Sequence, residues 1–275
     1  MRLLRGHVSA FTELWALLRH HSELMFELAR RDIADRYVGQ FLGMFWAVAH
    51  PLFMMGIYVF IFAFVFKVKI GDSVDIPRDY TVYILSGLIP WMAFQEAMSK
   101  SCSAISANSS LVKQAVFPVE VLPVKGVFAA FLTQLISTVL LILYTIITTK
   151  QILLTYLLIP IIWGLQFLAM IGVSYMLSAI GAYFKDIKDF VQLFGVAGMY
   201  AMPIFYLPGW VPEIFKPVLY INPFSYLAWC YQDVFYFGKI AHPEAWAINI
   251  IGSFFIFIVG YRFFRKVKPG FGGAL

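Results

Sequence analysis

The chain has 275 residues, 61% of them hydrophobic and only 13% charged, with a formal net charge of +6 and a mean hydropathy of +0.79. A soluble domain is about 25% charged, and a single soluble core of this size cannot hide so much apolar surface. The composition specifies an integral membrane protein and excludes disordered, collagen-like and disulfide-scaffold chains, since Cys102 and Cys230 are the only cysteines.

Residues 1–40 are polar and charged, so no cleavable signal peptide is expected there. Ser22 can cap a helix running to about Val38. Met25, Ala29, Ile33 and Tyr37 share one face, with Glu27, Arg30 and Arg31 opposite. Asp32 and Arg36 intrude on the apolar stripe as an i,i+4 pair. Two readings stay open: an amphipathic helix lying along the membrane surface against a partner, or a solvated leader that orients the first span. Gly39 and Gly43 form a GxxxG pair at the membrane edge, a spacing that can serve helix packing.

A membrane span needs about 20 apolar residues. Uncharged stretches predict six: Phe41–Phe66, Tyr80–Gln95 with Glu96 at its end, Gly126–Thr149, Thr155–Tyr183, Phe190–Leu207 and Ala245–Tyr261. The run Pro217–Gln232, broken by proline and rich in aromatics, is expected to be re-entrant or interfacial. Six spans put both ends on one side. Fifteen Lys and Arg then fall on the side of the termini and six on the other, which places both termini in the cytoplasm. The predicted fold is an all-α membrane protein. A cytoplasmic segment occupies 1–40 with a helix at about 22–38, a six-span domain 41–264 and a tail 265–275. Cys102 and Cys230 fall on opposite sides and should not pair.

Two connections stand out. Between the second and third spans, a short amphipathic helix from about Ser110 to Phe117 is expected, ended by Pro118. Its Leu111, Val112, Val116 and Phe117 either dock into a partner or pack on the protein's own helix ends. After the fifth span, Pro208–Lys239 is dense in Trp, Tyr and Phe. These rings fit an interfacial belt or a lining that stacks on sugar rings.

The predicted spans carry essentially no carboxylates of the kind that ion-coupled carriers use. The sequence has no GxxxxGK[ST] phosphate loop and no spaced metal-ligand set. Transport would have to be passive or energised by another subunit.

Short motifs in a shared order resemble one family. They are Arg30-Arg31-Asp32-Ile33 with Arg36-Tyr37, Leu42-Gly43, Trp46-Ala47 and Pro51-Leu52; Gly87-Leu88-Ile89-Pro90-Trp91; Phe117-Pro118 with Glu120-Val121-Leu122-Pro123; Tyr183-Phe184-Lys185-Asp186-Ile187; and Tyr220, Asn222 and Pro223. From about Arg30 to the tail the chain resembles the membrane subunit of type-two ABC exporters, in the branch that moves O-antigen, capsule or teichoic-acid polymers. Lys185 stands where that family's Phe-Arg-Asp-Ile motif has Arg.

The resemblance implies an N-terminal interface helix, a coupling helix between the second and third spans and short gate helices between the fifth and sixth. It also implies a homodimer working with two ATPase subunits, which hold the ATP and Mg, and a lipid-linked polysaccharide as cargo. A pore for a sugar chain is more easily built between two copies than inside one six-helix bundle. On this reading Leu111, Val112, Lys113, Val116, Phe117, Glu120, Arg30 and Arg31 meet the ATPase. Trp46, Tyr58, Tyr200, Phe205, Tyr206 and Trp210 are candidates to line the path. The chain itself carries no catalytic residue and no cofactor, and its basic residues orient it in lipid rather than bind nucleic acid. An ABC exporter of another lipid or small molecule, or a non-transporting subunit of a polymer-synthesis complex, remains the alternative.

Overall fold

The computed structural model describes residues 23, 27–28, 30–32, 34, 39–41, 43–65, 79–113 and 117–274. All regular secondary structure among them is helical. Six longer helices form the body: α1 Trp46–Val59, α2 Tyr80–Cys102, α3 Val121–Thr149, α4 Ile159–Gly181, α5 Ile187–Tyr200 and, later in the chain, one at Pro243–Val267. Between α5 and that last helix lie α6 Lys216–Ile221 and α7 Pro223–Gln232; the last helix is therefore α8.

Three segments are long and apolar enough to cross a membrane: Val121–Thr149, Leu154–Gly181 and Pro243–Gly273. They correspond to the third, fourth and sixth predicted spans. The third begins earlier than expected. Pro123 falls in the first turn of α3, where its missing N–H leaves no helical bond unmade. Lys150 ends that helix in the left-handed region, φ 54°.

α2 is the axis of the fold. Asp79 caps it, accepting bonds from the Thr81 backbone N–H and hydroxyl, both at 3.1 Å. Eighteen of its 23 residues are buried, against α3, α4, α5 and α7. The second span was expected to stop at Gln95. Instead α2 continues through Glu96 and Lys100 to Cys102, because Lys100 meets Glu96 at 3.4 Å one turn away and Asp32 at 2.7 Å. Asp32 thus pairs with Lys100; the expected partner Arg36 lies outside the described residues, as does most of 22–38.

α1 opens with a 3-10 turn, Gly43–Phe45, and ends in a π turn, Phe60–Val65. Gly39 and Gly43 have φ of +79° and +49°, and among the described residues a Cβ at either would meet nothing within 4 Å. They shape a turn before α1, so the GxxxG packing reading fails. The close crossing lies elsewhere, between α4 and α8. A Cβ on Gly260 would sit 2.0 Å from the Gly172 carbonyl oxygen, and one on Gly172 2.6 Å from that of Ile256.

The fifth predicted span is the short helix α5, 14 residues long. After Tyr200 the chain turns, and Pro203 and Pro208 follow. The aromatic stretch beyond it divides: Trp210, Phe215 and Tyr220 are exposed, while the later part is interior. α7 and the π turn Asp233–Phe237 bury Trp229, Tyr231, Phe235 and Tyr236 to 2% exposure or less. Neither a belt nor a lining describes those four rings; they are core. Both cysteines are buried and free.

Candidate functional site

The interior holds a polar node that the hunt for charged residues overlooked. Gln134 on α3 and Gln166 on α4 exchange amide hydrogen bonds at 2.8 and 2.9 Å. The Gln166 amide also donates to the Pro90 carbonyl at 3.0 Å. The Tyr231 hydroxyl donates to Gln166 Oε1 and accepts from Gln134 Nε2. All three side chains are buried. Buried amides must find partners, so the node fixes how deep α7 sits. Gln134 and Gln166 are isolated polar residues within apolar runs, which is the signal that could have exposed it.

A second anchor lies where α7 ends. The buried Asp233 carboxylate accepts from the His242 backbone N–H at 3.1 Å and Trp246 Nε1 at 3.0 Å, and meets His242 Nδ1 at 2.8 Å. The His242 ring stacks on Trp229 at 5.6 Å. The turn into α8 is thus tied to α7.

Five of the six candidate path residues gather at one end of the molecule. Phe205 lies 6.4 Å from Tyr58 and 5.6 Å from Tyr200, ring centre to ring centre. The Tyr206 hydroxyl donates to the Tyr200 carbonyl at 2.9 Å. Trp210 packs 5.9 Å from Tyr80. Phe62, Tyr80 and Tyr83 complete the cluster and were missed. Phe62 stacks on both Tyr58 and Phe205, while Tyr80 and Tyr83 donate to the carbonyls of Phe205 and Tyr206 at 2.7 and 3.2 Å. Tyr200 and Trp210 remain largely exposed. Trp46 is at the opposite end of α1, about 18 Å away along the axis at 1.5 Å per residue.

From Tyr58 an open cavity of about 430 Å³ runs between α1, α2, α3 and α5 to Glu96 and Lys100. Its length along α2, from Leu85 to Lys100, is about 22 Å. One wall is apolar, with Met54, Met55, Leu88 and Met92. The other is lined by Gln95, Ser99, Thr133, Ser137 and Gln192, and by Gln134, whose amide is committed to the buried node.

The residues expected to face an ATPase lie at the other end of α2. A 3-10 turn at Ser106–Asn108 leads into a single α-turn, Ser109–Val112, ended by a turn at Lys113; residues 114–116 of the expected helix lie outside the described residues. Val116 lies outside the described residues. Leu111, Val112 and Phe117 are half-buried against the protein's own core and keep part of their surface open, and Lys113 is exposed. Arg30 and Arg31 are helical and exposed. Glu120 is the largest departure from expectation. It is buried, and Lys268 Nζ holds both its carboxylate oxygens at 2.7 and 2.9 Å. The Tyr175 hydroxyl donates to the Glu120 carbonyl at 3.2 Å. The segment after α8 packs on the same end: Phe271 is buried against Tyr183 and Phe264.

An all-helical body, three segments able to span a bilayer and a lengthwise cavity define a membrane-embedded protein. The ABC-2 type transporter family pattern matches residues 23–236, and the chain belongs to that family, whose members are membrane subunits of transporters. Two proteins from Klebsiella pneumoniae, each named O-antigen export system permease protein RfbA, are 29% and 30% identical to it over 92% of this chain and 95% of theirs. A Myxococcus xanthus protein of the same name is 25% identical over 82% of this chain and 85% of its own. The polysialic acid transport protein KpsM of Escherichia coli is 20% identical over 82% and 84%.

Proposed function

We propose that the chain is the permease subunit of an ATP-driven exporter that moves a lipid-linked polysaccharide across the inner membrane. Two copies would work with two ATPase subunits, and ATP and Mg would be held on those partners. The observation that carries this reading is the continuity of the aromatic cluster with the cavity through Tyr58. Flat rings with polar edges suit sugar rings, and near-complete coverage of the O-antigen permeases supports the same cargo. Six crossings with both termini in the cytoplasm agree with the 15-to-6 division of basic residues. α6 and α7 would then enter from the outer side and return, α7 being held at the middle of α3 and α4 by Tyr231. At the inner end Leu111, Val112, Lys113 and Phe117, with Arg30 and Arg31, would meet the ATPase.

The test is polymer at the cell surface. Tyr206→Ala and Trp210→Ala should each lower it several-fold while the amount of permease in the membrane stays unchanged. Ile214→Ala, a control on an exposed side chain, should not lower it. Normal export from both aromatic variants would reduce the cluster to a packing feature.

A further inference from the structure

Two of the motifs that stand out in the sequence lie in different connections, Phe117-Pro118 with Glu120 before α3 and Tyr183–Ile187 before α5, and one segment touches both. The chain after α8 forms a 3-10 turn, Lys268–Gly270, and an α-turn, Phe271–Ala274, that prolong α8 without a break. On one side Lys268 Nζ holds the buried Glu120 carboxylate at 2.7 and 2.9 Å. On the other side the segment is seated on Tyr183. A Cβ on Gly270 would collide with the Tyr183 hydroxyl, and that hydroxyl donates to the Val267 carbonyl at 3.5 Å. The rings of Tyr183 and Phe271 are 6.2 Å apart, and Phe271 is buried with its ring 5.3 Å from that of Phe264.

The elements around this segment differ in how firmly they are held. α4 meets α8 backbone to backbone at Gly172 and Gly260, and it meets α2 in the same way, since a Cβ on Gly181 would collide with the Cys102 carbonyl oxygen. The segment starts eight residues past Gly260, about 12 Å along the axis, so it extends beyond the last close crossing. α5 is held far less. Only Val191, Gly195 and Gly198 of its 14 residues are buried, resting on Trp91 and Gln95 of α2. A helix with so few buried contacts is displaced more easily than a packed body. α5 follows the Tyr183 turn directly, and its Gln192 lines the cavity. We infer that Lys268–Phe271 couples the connection before α3 to α5. A shift of that connection reaches the cavity wall through the Glu120–Lys268 bridge and the seat of Phe271 on Tyr183, with Lys268 and Tyr183 as positioning residues. Packed side chains and ion pairs of this kind carry coupling between separate sites. The inference rests on the permease reading and deepens it, because the same connection is the one proposed to meet the ATPase.

The experiment deletes the chain from its own cells and returns it on a plasmid. Polysaccharide at the surface is measured per unit of permease in the membrane. ATP hydrolysis is measured on the permease–ATPase complex purified from the same membranes. Lys268→Gln and Tyr183→Ala should each leave the co-purified ATPase and its hydrolysis close to those of the unmodified complex. Surface polymer per permease should fall at least about fivefold, the low end of coupling between sites. Glu120→Lys combined with Lys268→Glu should recover most of that export. A bridge that serves folding alone would lower the amount of permease and leave export per permease unchanged. That result, or too little permease to assay in both variants, would overturn the inference and leave the permease reading standing. Loss of the ATPase from the purified complex would overturn it too, because the bridge would then shape the docking face itself. No export by the unmodified chain, with no polymer left inside the deleted cells, would sink the permease reading and this inference with it.

Discussion

At Gly260 and Gly172 two backbones meet with no room for a methyl group. The obstacle to a Cβ at Gly260 is a carbonyl oxygen 2.0 Å away, and no rotamer change can relieve it. Gly260→Ala must push α8 away from α4 and lose packing along the crossing, a loss of about 1–3 kcal/mol or more for overpacking of this kind. Thermal unfolding in detergent should show it, with Gly252→Ala, which has open space around it, unchanged. Tyr231→Phe makes a different point. It deletes one hydroxyl and leaves two buried amides each short of a partner, at a cost of about 1–3 kcal/mol. Small-residue spacing drew the eye to Gly39 and Gly43, and it misled because a pattern within one segment does not show what lies across from it. The partner of Gly260 is on another helix, so only the fold reveals the pair.

At the scale of elements, the loop after α2 is held at both ends. The Lys100 network ties the end of α2 to residue 32, and Glu120 with Lys268 ties the start of α3 to the segment after α8. The resemblance implied that Glu120 would meet the ATPase. The intramolecular bridge changes that expectation. Removing one member should cost about 1–3 kcal/mol, less than for a fully buried pair because Lys268 stays more than a third exposed. Glu120→Lys combined with Lys268→Glu should restore stability beyond either single change, a non-additivity read from a double-mutant cycle. Phe117→Asp should cut the ATPase co-purified per permease, by an amount matching the roughly 2 kcal/mol of an aromatic interface anchor. Normal co-purification would shift attention to Arg30 and Arg31.

For the molecule as a whole, cysteine probes introduced at Lys239 and Lys113 should label from opposite faces, Lys239 from the periplasm. The reverse result would overturn the six-span arrangement. Charge-free runs located the third, fourth and sixth spans, although α3 begins before its uncharged run and takes in Lys125, and α8 continues past Arg262 to Val267. They served α2 less well: its Glu96 and Lys100 neutralise each other inside a continuing helix, so a charge did not mean an end. They also overstated the fifth span, where an apolar run outlasts α5 and turns back at Tyr200. Aromatic richness singled out Tyr58, Tyr200, Phe205, Tyr206 and Trp210 as path candidates, and the fold brings these five together. It could not tell that Trp229, Tyr231, Phe235 and Tyr236, a little further on, are filling rather than lining, since burial depends on where α7 is anchored.

The bridge between Glu120 and Lys268 spans 148 positions of sequence, and that distance is also an interval of time. During synthesis α3 is made long before the residue that secures its first turn, with α4 through α8 emerging in between. Until then Glu120 is a carboxylate without this partner at the start of a very apolar helix, and the neighbouring loop has no fixed seat. A permease still being made would thus offer an ATPase an unfinished docking face. If the ATPase docks at this loop as proposed, half-built chains would lack the finished seat until Lys268 has been made.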